Sequence, residues 1–415
     1  MTKTYKGGYI GGSDQLRAPD APTISVSGGE GEVTVTFTNP ANTGGGDISS
    51  YTATAIASNV STGATSSSSP ITITGLTNGT SYSVTGLANN AFGTSPISSA
   101  TTGSPAATKA LILSGYGVLS GSTATHNIIQ VVTISSAGDS TDWGADLVDG
   151  RHSGGCCSSS TRGIIGGGTN TDTTVEIDKI QHLTLSSAAN ASDFGDLSTG
   201  GYDIGGCSSS TYGFFCGGAL SAYFSTGNTI QRIVIASTGN ASDHGDLTES
   251  SKDHSSFSDG TYGFRAGGTT GSNSNVIDRF AMASSGNASD FGDLQLARND
   301  LGTQSNACSS TRAVVAGGSG GSPYEGEIDL ITMASTGNAT DFGDLRGNYA
   351  RQFGTASLTR AIFGGGAWDG SGVQCNNQID YVTIASAGNA ADFGSLLGTM
   401  QYAGGVVSNG HGGLS

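Results

Sequence analysis

Ser335-Thr336-Gly337-Asn338-Ala339-Thr340-Asp341-Phe342-Gly343-Asp344-Leu345 decides the fold, because it is one of six close copies of the same stretch. The copies end in Asp142-Trp143-Gly144-Ala145-Asp146-Leu147, Asp193-Phe194-Gly195-Asp196-Leu197, Asp243-His244-Gly245-Asp246-Leu247, Asp290-Phe291-Gly292-Asp293-Leu294, the stretch quoted first, and Asp392-Phe393-Gly394-Ser395-Leu396. Their leading aspartates are 51, 50, 47, 51 and 51 residues apart. A period near 50 residues is that of a four-stranded sheet repeated around an axis, and each such sheet needs its neighbours to cover its faces.

Two further pieces recur between the copies. One is an apolar strand ending in glycine, as in Tyr212-Gly213-Phe214-Phe215-Cys216-Gly217 and Arg360-Ala361-Ile362-Phe363-Gly364-Gly365; the other is a strand such as Ile328-Asp329-Leu330-Ile331-Thr332-Met333. A Ser-rich strand completes each unit. The first glycine-ended strand, Lys109-Ala110-Leu111-Ile112-Leu113-Ser114-Gly115, lacks a Ser-rich partner before it, and Tyr402 to Asn409 is a Ser-rich strand with no unit after it. Joining the two predicts six complete units in a closed ring, a six-bladed β-propeller over residues 109–415 with the C-terminal strand latched onto the first blade.

Before the ring, the pattern is different. Strands are expected at Thr23–Val26, Val33–Phe37, Tyr51–Ile56, Ile71–Ile73 and Tyr82–Ala88, each alternating apolar with small polar residues and separated by turn residues such as Asn39-Pro40 and Gly44-Gly45-Gly46-Asp47. Short regular strands imply a β-sandwich over residues 19–103, joined by a linker at 104–108 and preceded by an arm at 1–18 that is too short to fold alone.

Composition narrows the function. The chain has 415 residues, only 12% of them charged, and 16 basic against 32 acidic side chains give a net charge of −16, which disfavours nucleic acid and anionic membrane as partners. No apolar run approaches the ~18 residues of a membrane span. The six cysteines lack zinc-site spacing, and Cys157 and Cys207 occupy a repeat position filled elsewhere by Phe257, Ala307 and Thr355, so they read as small core residues.

Three resemblances follow from these residues. Ala21-Pro22, the Leu76-Thr77-Asn78-Gly79-Thr80-Ser81-Tyr82 turn and Ala88-Asn89-Asn90-Ala91-Phe92-Gly93-Thr94-Ser95 make 19–103 resemble a fibronectin type III domain, with Phe37 in place of the family's tryptophan. That resemblance implies that the Tyr82 hydroxyl bonds back to upstream backbone. The double glycines and the period are similar to kelch-type propellers, whose tyrosine and tryptophan after the glycines are absent. The repeat at residues 235–247 resembles repeats in structural proteins of marine bacteriophages, notably those infecting cyanobacteria.

The phage resemblance implies a virion surface protein: a tail-fibre or head-appendage component assembled in the host cytoplasm. Its arm would attach to other virion proteins, and its propeller would recognise a host-surface glycan or protein. The alternatives are a capsid decoration protein that only packs and a polysaccharide-acting enzyme. Arg151, Arg298 and Arg351 open the Ser-rich strands and are expected at the channel or its mouth, where they would grip a carboxylate or sulfated sugar. Tyr223, Phe224 and Trp368, in the longest loops, are candidates for stacking on sugar rings. No catalytic pair, cofactor or metal is expected. The Asn338, Asp341 and Asp344 oxygens, which have the spacing of calcium ligands, read instead as turn residues.

Overall fold

Alternation of apolar and polar residues dictates strands throughout, and in the computed structural model every regular element among the described residues is a β-strand. Those residues are 16–119, 122–170, 175–176, 178–220, 225–304, 307–320, 324–368 and 374–410. Among them no helix is long and apolar enough to cross a membrane. The chain divides into two compact units between Ala107 and Thr108. The arm expected at 1–18 falls outside the described residues up to residue 15. Arg17 donates its backbone N–H to Gly44 O at 3.0 Å and so belongs to the first unit.

The first unit has eight strands: β1 (Thr23–Gly29), β2 (Glu32–Thr38), β3 (Ser50–Ala57), β4 (Val60–Ser66), β5 (Ile71–Ile73), β6 (Tyr82–Asn90), β7 (Gly93–Thr94) and β8 (Thr101–Gly103). They form one sheet in the order β1-β2-β5 and another in the order β4-β3-β6, with β7 and β8 both on β6. Val33, Val35, Phe37 and Ile73 of the first sheet share a core with Tyr51, Ala53, Val84 and Ala88 of the second. The Thr77 N–H donates to the Tyr82 hydroxyl at 3.0 Å, tying the buried tyrosine to the turn before it.

In the second unit each repeat folds as an antiparallel sheet. The third is typical, running Gly205–Ser208, Tyr212–Cys216, Thr229–Val234 and Ser242–Asp246 from its first to its last strand. The second (Gly155–Ser158 to Ser192–Asp196) and fourth (Ser255–Ser258 to Ser289–Asp293) copy it. In the fifth, Arg312–Ala316, Glu327–Thr332 and Thr340–Asp344 are regular, and on the inner side Cys308 bridges Ala313. The sixth begins at Phe353–Ala356 and ends in a long strand, Ala391–Ala403.

The first sheet is assembled from both ends of the unit. Val406–Ser408 pairs antiparallel with Lys109–Leu119 in the register Val406 with Ile112, Val407 with Leu111 and Ser408 with Ala110. The latch is thus Val406–Ser408. Tyr402 and Ala403, expected within it, belong to the preceding strand, which pairs on its own account with the same Lys109–Leu119 strand. Gly117 makes this second pairing possible, since a Cβ there would lie 2.1 Å from Thr399 O.

The Asp-Phe-Gly-Asp stretch owes its form to a β-bulge. Opposite Ile180 and Gln181 stand Gly195 and Asp193, so Phe194 is the extra residue, and its ring is buried. Gly195 sits at φ +147°, where a Cβ would be 2.5 Å from Gly239 O of the next repeat. The turn carrying Gly239 therefore closes over the outer strand: Gly239 N–H donates to Phe194 O at 2.7 Å, and Asp196 N–H donates to Asn240 Oδ1 at 3.1 Å. An otherwise exposed sheet edge is capped.

That link recurs from every repeat to the next. Asn190 accepts from Asp146 N–H, Asn287 from Asp246, Asn338 from Asp293 and Asn389 from Asp344, and Asp139 of the first repeat accepts from Ser395 N–H of the sixth at 2.9 Å. The apolar cores follow the same order. Leu111 and Leu113 pack with Ile165 and Leu183, Ile164 with Phe215, Phe214 with Phe280, Phe264 with Val315, Val314 with Phe363, and Ile362 with Ile112 and Val132. The sixth repeat shares a core with the first as the others do with their successors, and the pairing of Ala391–Ala403 with Lys109–Leu119 additionally joins these two repeats into one continuous sheet.

Candidate functional site

The three arginines selected from the sequence do not form one group. Arg151 and Arg298 occupy equivalent positions and are fully buried. Arg151 Nη1 donates to Gly167 O and Lys179 O at 3.0 and 2.9 Å, and Arg298 Nη2 donates to Asp329 Oδ2 at 2.7 Å. Both side chains hold strands together, which corrects the expectation that they face a channel or grip a ligand. Burial draws the Arg151 guanidinium down to about 10, against the pull of Asp149. Tyr223 and Phe224 lie outside the described residues. Trp368 is 45% exposed on the short strand Ala367–Trp368, paired with Tyr349–Ala350.

Arg351 is placed differently. It stands at a left-handed backbone position (φ 64°) shared by Ser153 (59°), Asp203 (54°), Asp253 (57°) and Asp300 (51°), one from each of five consecutive repeats. These segments are hydrogen-bonded in series. Ser153 N–H donates to Ala403 O at 2.9 Å, Asp203 N–H to Ser153 O at 2.8 Å, Asp253 N–H to Asp203 O at 3.4 Å, Leu301 N–H to Asp253 O at 3.1 Å and Arg351 N–H to Asp300 O at 2.7 Å. The circuit is completed by a side chain, since Arg351 Nη1 donates to the Tyr402 hydroxyl at 2.9 Å. Ser153, Asp203, Asp253, Gly302, Arg351, Tyr402 and Ala403 line a cavity of about 10 Å³, room for about one water.

Charge in this mouth is closely balanced. Lys252 Nζ lies 3.6 Å from Asp203 and 3.4 Å from Asp253, whose side chains are each 13% exposed, and Arg351 makes two contacts to Asp300, at 3.1 and 3.2 Å. Burial, reinforced by the Asp203 and Asp300 carboxylates, pushes the Asp253 carboxyl well above the usual range. Burial raises Asp203 too, although Lys252 opposes it, and Asp203 accepts hydrogen bonds from Ser153 and from the protonated Asp253. Burial lowers Lys252, but Asp253, Asp203 and Tyr202 together raise it by more.

The folded chain therefore keeps a proton on Asp253 that the unfolded chain releases just above the ordinary carboxyl value of 3.8. A raised carboxyl makes the folded state the better proton binder, so stability falls as pH rises from about 4 through the folded value. Asp253→Asn, which tolerates the left-handed backbone, removes this term. Urea midpoints measured between about pH 5 and pH 8 should fall more in the natural chain than in the variant; parallel slopes would contradict the shared proton.

Cys156, Cys157, Cys207, Cys216 and Cys308 are buried free thiols, and burial lifts Cys156 and Cys308 to about 12, too high for nucleophiles at neutral pH. His254 is held neutral, lowered to about 3 by burial and by Arg265. Asn338, weighed above as a calcium ligand, spends its oxygen on Asp293 N–H. Among the described residues no group of three or more His, Cys, Asp or Glu is arranged to hold a metal ion. No family model matches the chain, and no curated protein does.

Proposed function

We propose that Thr108–Ser415 is a six-bladed, kelch-like β-propeller preceded by a fibronectin type III-like sandwich, and that the chain is a virion structural protein presenting the propeller for host-surface recognition. The observation that carries the architecture is the return of the repeat: the link from Ser395 to Asp139 and the core shared by Ile362 and Ile112 join the sixth sheet to the first. The sheet orders β1-β2-β5 and β4-β3-β6 and the Tyr82 tie support the sandwich reading of the first unit. The virion role rests on the resemblance of the repeats to those of phage structural proteins, and on an acidic, neutral-rich composition suited to an exposed surface.

Recognition is favoured over a purely packing role by the mouth. Its equivalent positions carry Ser153, Asp203, Asp253, Asp300 and Arg351, a variety that identical packing would not require. Attachment to other virion proteins is assigned to the N-terminal arm. In virions carrying the chain without residues 109–415, the arm and first unit should still be incorporated while adsorption to host cells is lost. Undiminished adsorption would refute the recognition role.

A further inference from the structure

The sheets have a second end, away from the mouth. In the third repeat Gly205 pairs with Cys216 and Ser208 with Gly213, so Asp203 and the mouth lie beyond Gly205, and the second strand begins with Tyr212 at the far end. There every repeat carries one cation. Lys109, Arg162, Arg312 and Arg360 are the first residues of the second strands of the first, second, fifth and sixth repeats. In the third and fourth that position is taken by Tyr212 and Tyr262, and the cation moves to the next strand, where Arg232 pairs with Phe214 and Arg279 with Phe264. Each guanidinium lies over the tyrosine that replaced it, 4.8 and 4.6 Å from the ring. Hydrogen bonding does not account for the series. Arg162, Arg312 and Arg360 donate to Ile235, Ala385 and Ile134 carbonyls of the next repeat, whereas Lys109, Arg232 and Arg279 make no side-chain hydrogen bond among the described residues. Positive charge is what the six share.

These are also the cations without a counter-ion. Every other described Lys and Arg has a carboxylate oxygen within 3.8 Å, and these six have none among the described residues. All six are partly exposed, and those of their nitrogens that lack a partner are open to solvent. The turns at this end, 158–161 and 235–241 with their counterparts, hold only two acids. Asp139 accepts from Ser395 N–H, and Asp259 from Thr261 and Tyr262 N–H. The mouth end, by contrast, carries Asp149, Asp203, Glu249, Asp253 and Asp300.

We propose that the end of the second unit opposite the mouth binds an acidic polysaccharide through its carboxylate, sulfate or phosphate groups; the proposal rests on the recognition role given above and names its ligand class. Single cations on successive repeats match oxyanions that recur along a polymer, and the arginine fork suits each of the three groups. The turns between the cations are built of Ser, Thr, Asn, Ala and Gly, whose hydroxyls and amides donate and accept as sugar hydroxyls do. Nucleic acid, with a charge every ~1.7 Å of duplex, is the poorer match, since the net charge of −16 repels it along its length.

The test is binding of the full chain to immobilised heparin, which is sulfated, alginate, which is carboxylated, a poly(glycerol phosphate) teichoic acid, and neutral dextran, with duplex DNA measured alongside. At least one acidic polysaccharide should bind, dextran should not, and the affinity should fall as salt rises from about 50 to 200 mM. Arg232→Gln combined with Arg279→Gln removes two charges that hold no hydrogen bond, and should weaken binding roughly fivefold or more. Arg232→Lys with Arg279→Lys keeps the charges and should restore most of the affinity. Lys109→Gln is read instead if the glutamine pair lowers the unfolding temperature. Equal binding to dextran, affinity indifferent to salt or to the lost charges, or tighter binding of duplex DNA overturns the proposal. If no acidic polysaccharide binds while virions still need residues 109–415 to adsorb, the ligand class is wrong and the recognition role stands. If adsorption does not need those residues, it is the recognition role that fails, whichever polymer binds.

Discussion

Truncation after Gly404 is expected to abolish cooperative folding of the second unit. The deletion removes Val406 and Val407, both buried, and with them the strand that completes the first sheet. It also removes Gly405 O, which accepts from Leu113 N–H at 2.8 Å, Asn409 Oδ1, which accepts from Lys109 N–H at 2.7 Å, and Ser408 O, which accepts from Ser158 Oγ at 3.0 Å. Two buried valines are worth roughly 3–6 kcal/mol and each hydrogen bond about 1 kcal/mol. The sum rivals the ~5–15 kcal/mol that holds a whole domain folded. The truncated chain would also expose the edge of Lys109–Leu119 and aggregate through it. Soluble yield and thermal unfolding read the outcome, and a soluble product that still melts cooperatively within a few degrees of the full chain would count against the latch.

The second large effect is expected at Arg298. Its guanidinium and the Asp329 carboxylate are both fully buried and 2.7 Å apart, so Arg298→Met strands a charge and should cost about 3–5 kcal/mol in urea unfolding. The repeats themselves indicate the compensating change. At the position of Asp329 they carry Gln130, Gln181 and Gln231 in three sheets and Asp278 and Asp380 in two others. Those two acids each have an arginine at 2.6 Å, Arg265 and Arg346. In four of the six, the group also accepts from a backbone N–H of the preceding repeat: Val148, Ser198, Thr248 and Arg346 donate to Gln181, Gln231, Asp278 and Asp380. Leu397 N–H donates to Gln130 at 3.0 Å and continues the series from sixth repeat to first. Adding Asp329→Gln to Arg298→Met should therefore restore most of the lost stability, whereas additive losses would show that the pair is not coupled.

Much of this arrangement is legible in the sequence because repetition turns local chemistry into position. The Asp-Phe-Gly-Asp-Leu copies mark the bulged outer strand, and the unpaired strands at Lys109 and Val406 point to each other. The strand Val60–Ser66 was not legible: it is a sheet edge with both faces largely exposed, and Val60-Ser61-Thr62-Gly63-Ala64-Thr65-Ser66 carries no apolar alternation. The arginines misled for a different reason. Counted from the leading aspartate of their repeats, Arg151, Arg298 and Arg351 fall nine, eight and ten residues on, and these small differences hide that the first two point into a sheet while the third reaches the mouth. The mouth aspartates did carry a signal, since Asp203, Asp253 and Asp300 are 50 and 47 residues apart, the spacing of the repeat itself.

Amide hydrogen exchange of the full chain tests the central claim, that the sixth repeat closes on the first, most directly. The amides of Leu111 and Val407 sit where the two ends of the second unit pair, and those of Phe214 and Ile233 lie within a sheet made of continuous sequence. A closed ring predicts that both sets exchange only through global unfolding, with similar protection that falls together in denaturant. Protection at Leu111 and Val407 that is lost well before that at Phe214 and Ile233 would mean that the ends are not held as a sixth contact of the same kind, and would contradict closure.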